Sequence, residues 1–145
     1  MPNPYRHRVN YCLQEAGRAL AAGKGMAQQE TAVFFLYRAY TTYLRELAEQ
    51  LKLPDQAFQS AAALAAQLDA VHRMAESVNE LVASEQSGWV ASLQRQWQAC
   101  MHPQNSEPKA DVILTAVAEP EWAPAELLAA FESLLERQRM TGEEW

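Results

Sequence analysis

Q29-E-T-A-V-F-F-L-Y-R-A-Y-T-T-Y-L-R-E-L47 carries five of the chain's nine Phe and Tyr residues, with Glu30, Arg38, Arg45 and Glu46 threaded among them. Val33, Tyr37, Tyr40, Leu44, Leu47 and Leu51 recur at alternating spacings of four and three, which lines them along one side of an α-helix. Ala32, Leu36, Ala39 and Tyr43 form a second seam beside the first. An apolar arc of that width belongs to a helix with two or three neighbours. The stretch therefore reads as the central helix of a bundle, from about 27 to 53, stopped by Pro54 because proline disfavours a helical residue before it.

Two residues depart from this pattern. At about 100° per residue, Phe35 falls on the face shared by Thr31, Arg38, Thr42, Arg45 and Glu49. Cover by an extended segment or by the C-terminal helix, a homodimer contact or ordinary exposure would each account for it. Glu30 lies near the edge of the apolar arc, where an unpaired carboxylate is costly to bury. It reads as an edge residue reaching solvent, as a member of a polar network with Arg8 or Asn10 from the preceding helix and Tyr37, or as a functional carboxylate of a pocket between the first two helices.

The flanking sequence extends the bundle. Tyr5, Val9, Leu13, Ala16 and Leu20 predict a first helix from about Tyr5 to Ala22, ended by G23-K-G25, with Gly17 inside it as a weak point unless close packing needs the missing side chain. After Pro54 a third helical region follows with almost no loop, from about 55 to 83. Its apolar face is Phe58, Ala61, Leu64, Leu68, Val71, Ala75, Val78 and Val82. Periodicity leaves open whether it is one helix or two with a break near His72. Ser84 to Gly88 is the next break, and W89-V-A-S-L-Q-R-Q-W-Q-A-C100 places Trp89, Leu93, Trp97 and Cys100 on one face.

H102-P-Q-N-S-E-P-K-A-D111 is a loop by composition. V112-I-L-T-A-V-A-E-P-E-W122 is the one β-favouring run and lacks a partner strand, so it reads as an extended segment laid over the bundle. Pro124 opens a last helix carrying Leu127, Leu128, Phe131, Leu134 and Leu135. The fold expectation is all-α: a single domain over 1–145, built as an antiparallel four- to five-helix bundle with an extended segment before the C-terminal helix.

The totals agree with a globular domain. Hydrophobic residues make up 49% and charged residues 21%, with only five glycines. Lys plus Arg is 12 against 18 for Asp plus Glu, a formal charge of -6 that gives nucleic acid no general attraction. Cys12 and Cys100 form neither a CxxC motif nor a disulfide framework and read as reduced thiols. M1-P-N-P-Y-R-H-R-V-N-Y11 has no apolar run of a signal peptide, and V33-F-F-L-Y-R-A-Y-T-T-Y-L44 is too short and too charged to span a bilayer. A soluble cytoplasmic protein is expected, with no membrane and no cofactor.

Motifs with chemistry are scarce. His7, His72 and His102 join no HxxxH, HExxH or ExxH pattern, so no metal site is expected. Ser60 and Ser87 lie in no nucleophile elbow, and G23-K-G25 is not a phosphate-binding loop. R95-Q-W-Q-A-C-M-H102 resembles the Arg-x4–6-His motif of the helical HEPN ribonucleases, with Gln96 in the place of the polar residue that often follows the arginine. That resemblance implies RNA cleavage by Arg95 and His102 converging in a dimer cleft. His102 directly before Pro103 marks a helix end, which opposes the convergence.

Y5-R-H-R-V-N10 with A16-G-R-A-L20, Q29-E-T-A-V-F-F-L-Y37 and L44-R-E-L-A48, continued by W89-V-A-S-L93 and K109-A-D-V112, is similar to a small uncharacterised bacterial family of Pseudomonas and related gammaproteobacteria. The family carries only a domain-of-unknown-function label. Its typical Arg-x-Asn and the Glu ahead of the aromatic run fall on Arg8, Asn10 and Glu30, which implies a shared structural network and assigns no activity. The family pattern has no counterpart to Arg95 with His102. The leading functional expectation is a noncatalytic helical protein acting through protein contacts, as a homodimer or with another partner, using Phe35 and Trp145. The alternatives are a small-molecule binder or enzyme with Arg8, Asn10, Glu30 and Tyr37 around a pocket between the first two helices, and the HEPN-like ribonuclease.

Overall fold

The structure is a computed structural model and describes residues 3–102 and 122–143. Within them the chain forms six helices: α1 (Pro4–Ala22), α2 (Met26–Gln50), α3 (Ala61–Ala70), α4 (Glu76–Ser87), α5 (Trp89–Met101) and α6 (Pro124–Glu143). The expected segment over 112–122 lies outside the described residues apart from Trp122, and so does Trp145. Among the described residues no helix is long and apolar enough to cross a membrane.

Side-chain pairings fix the helix directions. Asn3 reaches the backbone carbonyl of Glu46 and Tyr11 meets Phe35, so α1 and α2 are antiparallel. Tyr40 packs on Phe131 while Glu46 pairs with Arg139, so α6 runs parallel to α2. Glu85 of α4 meets Tyr40, and Trp97 of α5 meets Tyr37 and Phe34. α4 and α5 therefore form one long arm, broken at Gly88 and antiparallel to α2. The result is an up-down-up-down bundle of α1, α2, the α4–α5 arm and α6, with α3 inserted between the second and third members. Its core is one apolar cluster in which Leu36, Tyr40, Tyr43, Leu44, Leu64, Leu81, Leu93, Leu127 and Phe131 are buried.

The breaks have local causes. α2 ends at Gln50, three residues before the expected limit, and Pro54 is not what stops it. Lys52 adopts a left-handed φ of 58°, its amide bonds the Glu49 carbonyl and the Leu53 amide bonds the Ala48 carbonyl. This is a Schellman closure built without glycine. His72 repeats it after α3, with φ 57° and amides of His72 and Arg73 bonded to Asp69 and Leu68. The region over 55–83, open in the sequence between one helix and two with a break near His72, is thus two helices, and α3 starts only at Ala61. Residues 53–60 are a non-helical connection that sinks Phe58 into the core, not the near-absent loop that was expected. Ser60 then caps α3, its Oγ accepting from the Ala63 amide at 3.1 Å.

Phe35 is covered, though by an element other than those weighed for it. It is half-buried because α1 lies along that side of α2 and Tyr11 covers it edge-on at 6.4 Å. Its neighbour Phe34 is the exposed ring, at 43%.

Two glycines separate packing need from weakness. A Cβ on Gly88 would meet the Ser84 Cα at 2.9 Å, whereas a Cβ on Gly17 would meet only the Leu128 side chain, at 3.7 Å. Gly88→Ala is therefore expected to lower stability by about 1–3 kcal/mol through forced displacement of the α4–α5 break. Gly17→Ala is expected to raise it by about 0.5–1 kcal/mol through helix propensity. Urea denaturation of the two variants checks both signs; stabilisation by Gly88→Ala would contradict the tight break.

Candidate functional site

The polar groups of the interior gather where α1, α2, α4 and α6 meet. Extending the second seam of α2 beyond Ala39 and Tyr43 by one more step reaches Glu46, whose side chain is 1% exposed. One turn past Leu135 on α6 stands Arg139, whose side chain is 13% exposed. Arg139 Nε and Nη2 donate to the two Glu46 carboxylate oxygens at 3.0 and 2.7 Å, and Nη1 donates to Asn10 Oδ1 at 2.7 Å. Asn3 Nδ2 donates to the Glu46 backbone carbonyl at 2.8 Å. All three guanidinium nitrogens of Arg139 are thereby satisfied, the condition under which a buried ion pair is tolerable.

A second branch adjoins the first. The Tyr43 hydroxyl donates to Gln138 Oε1, and Gln138 Nε2 donates to Glu80 Oε1 at 3.0 Å and the Ser77 carbonyl at 3.2 Å. Arg137 Nη2 pairs with Glu80 Oε2 at 2.8 Å and holds the Glu80 carboxyl below the usual carboxylate range. Burial pushes the Tyr43 phenol up, with the Glu46 charge adding to the effect, so this hydroxyl remains a proton donor. Farther along α2, the buried Tyr40 hydroxyl donates to Glu85, whose carboxylate also accepts the Ala61 and Ala62 amides at 2.6 and 3.2 Å. Glu85 thus holds the start of α3 from α4, where the helix dipole favours an anion.

A cleft of about 750 Å³ opens beside this network. Leu47, Leu51, Met74 and Ala75 form its apolar side, and Glu80, Arg137, Gln138 and Thr141 its polar side. It lies between α2, α4 and α6, and no α1 residue lines it.

The exterior of α1, α2 and α5 has a different character. Tyr11, Phe35, Phe34, Trp97 and Tyr37 form a chain of ring contacts, from Tyr11–Phe35 at 6.4 Å to a parallel Tyr37–Trp97 stack at 4.5 Å. Tyr11 is 42% exposed and Phe34 43%. The Arg8 guanidinium lies 5.8 Å from the Tyr11 ring centre. Burial pushes the Cys12 thiol up beneath this surface, while the nearby charges of Arg38 and Arg8 act in the opposite direction.

The residues singled out in the sequence go to separate places. Asn10 joins the Glu46–Arg139 pair, whereas Arg8 covers Tyr11, Tyr37 stacks on Trp97 and Glu30 is exposed. Arg95 is exposed on α5, and His102 is exposed at its end, where the backbone has already become extended. Glu46 and Arg139 were missed, although each is a charge on the apolar seam of its helix. Among the described residues no three His, Cys, Asp or Glu side chains gather as metal ligands would.

The model of a family described as a family of unknown function (DUF6586) matches residues 11–145. No curated protein and no solved structure shows significant similarity to the chain.

The Glu80 branch has a pH signature. A carboxyl held below its unfolded value contributes stability that is present above about pH 4 and lost as pH falls through its folded value. Glu80→Gln is expected to flatten the acid side of the stability profile and to cost about 1 kcal/mol or less at neutral pH, since the pair is partly exposed and solvent-screened. Denaturation midpoints between pH 3 and 7 check this; an unchanged acid slope would contradict it.

Proposed function

The chain belongs to DUF6586, a family of unknown function, and we propose that it is a noncatalytic helical protein that acts through protein–protein contacts. The observation that carries this reading is the row of partly exposed aromatic rings across α1, α2 and α5. Aromatic side chains and arginine are the residues that anchor protein interfaces, because they offer large contact area at little entropic cost. Contiguous apolar surface on a soluble chain is costly unless a partner uses it.

The interior supports the same reading from the other side. Glu46 is neutralised by Arg139, Glu85 is committed to Tyr40 and the start of α3, and Glu80 to Arg137 and Gln138. These carboxylates hold helices together.

Photo-crosslinking tests the assignment. p-Benzoylphenylalanine in place of Phe34 is expected to give discrete protein adducts in the native cell, while the same group at the exposed Glu132 of α6, outside the aromatic row, is expected to give none of them. Identical patterns from the two positions, or no discrete adduct from position 34, would overturn the proposal.

A further inference from the structure

Glu30, Phe34 and Arg38 occupy one ridge of α2, each one turn from the next, and all three are exposed. The ridge lies between two flanks, Tyr11 of α1 reached through Phe35, and Trp97 of α5 in contact with Phe34. Among the described residues neither Glu30 nor Arg38 forms an ion pair, although the chain is rich in charged groups that do. About two turns of helix separate their Cα atoms, too far for them to pair with each other. Their placement around Phe34 is symmetric in position and opposite in sign.

We propose that this ridge is the contact between two copies of the chain, with the α2 helices packed antiparallel across a two-fold axis at Phe34. The inference rests on the protein-contact reading and names the partner. A two-fold axis perpendicular to the helix sets Phe34 against the Phe34 of the second copy. It also sets Glu30 of each copy against Arg38 of the other, giving two charge pairs from one exposed ridge. The parallel arrangement would put like charges together and is disfavoured. α1 repeats the pattern: Arg8 precedes Tyr11 by three positions and Glu15 follows it by four, so antiparallel apposition of the α1 helices also brings opposite signs together. Glu15 already lies 3.4 Å from Arg18 in the monomer, which makes the α2 pairs the stronger determinant. Arg8 and Arg38 are also close enough for both charges to act on Cys12, so an antiparallel partner presents its acidic Glu30 end to the basic end of this face.

Charge exchange supplies the test. Light scattering behind size-exclusion chromatography, at several dilutions, is expected to show a natural dimer that dissociates on dilution. Glu30→Arg and Arg38→Glu each create two like-charge contacts and are expected to weaken self-association by about tenfold or more. Mixing the two variants is expected to restore a dimer of one copy of each, and the double variant Glu30→Arg/Arg38→Glu to restore self-association. Both sites are exposed, and circular dichroism of each variant verifies the helical content. A monomeric natural protein at every concentration overturns the proposal, as does a dimer indifferent to the single substitutions or a mixture that fails to recombine. Adducts from position 34 to other proteins, with a monomeric natural chain, would leave the protein-contact reading standing and remove only the second copy.

Discussion

Glu46 and Arg139 form the constraint on which the helix arrangement depends. A carboxylate that is 1% exposed cannot stand without a countercharge, and the Arg139 guanidinium supplies one by two hydrogen bonds while its third nitrogen reaches Asn10. Three helices are joined at this point. Sliding α6 by one turn along α2 would leave Glu46 buried and unpaired, and would separate Tyr43 from Gln138 at the same time. Apolar burial of Leu127, Phe131, Leu134 and Leu135 is non-directional, whereas the ion pair requires this register.

Polar and aromatic residues are divided by this arrangement. Carboxylates and arginines join the helices at the buried α2–α6 pair, at the partly exposed Glu80 branch and at the start of α3. Aromatic rings on α1, α2 and α5 remain partly outside. Tyr40 and Tyr43 illustrate the difference from Phe34 on the same helix: both phenols are buried with a hydrogen-bond acceptor, whereas Phe34 has an exposed ring and needs none. The buried pairings on the other side of α2 fix which of its faces is left exposed.

Much of the fold was legible because α2 is strongly periodic. The seams through Val33 to Leu47 and Ala32 to Tyr43 are buried almost as the spacing predicts, with Tyr37 half-exposed where Trp97 stacks on it. The boundaries were less legible because two helices end with non-glycine residues in left-handed conformations. Lys52 and His72 carry no composition signal for that geometry, so the break near His72 stood in the sequence only as one of two readings. The polar network was less legible for a different reason. Glu30, read as an edge residue reaching solvent or as a member of a polar network, is exposed near the start of α2. Glu46 lies on the continuation of a seam, and its partner is 93 residues away, a distance at which periodicity along one helix gives no information. That α1 covers Phe35 was not legible because the helical wheel of α2 does not say where α1 will lie.

The most direct measurement is a double-mutant cycle on Glu46→Gln and Arg139→Met by chemical denaturation. Each single substitution is expected to cost about 3–5 kcal/mol because it leaves the other group buried and unmatched, and the double variant to recover at least about 2 kcal/mol of the summed loss. Additivity within about 0.5 kcal/mol would contradict the account, since it would mean that the two groups do not depend on one another.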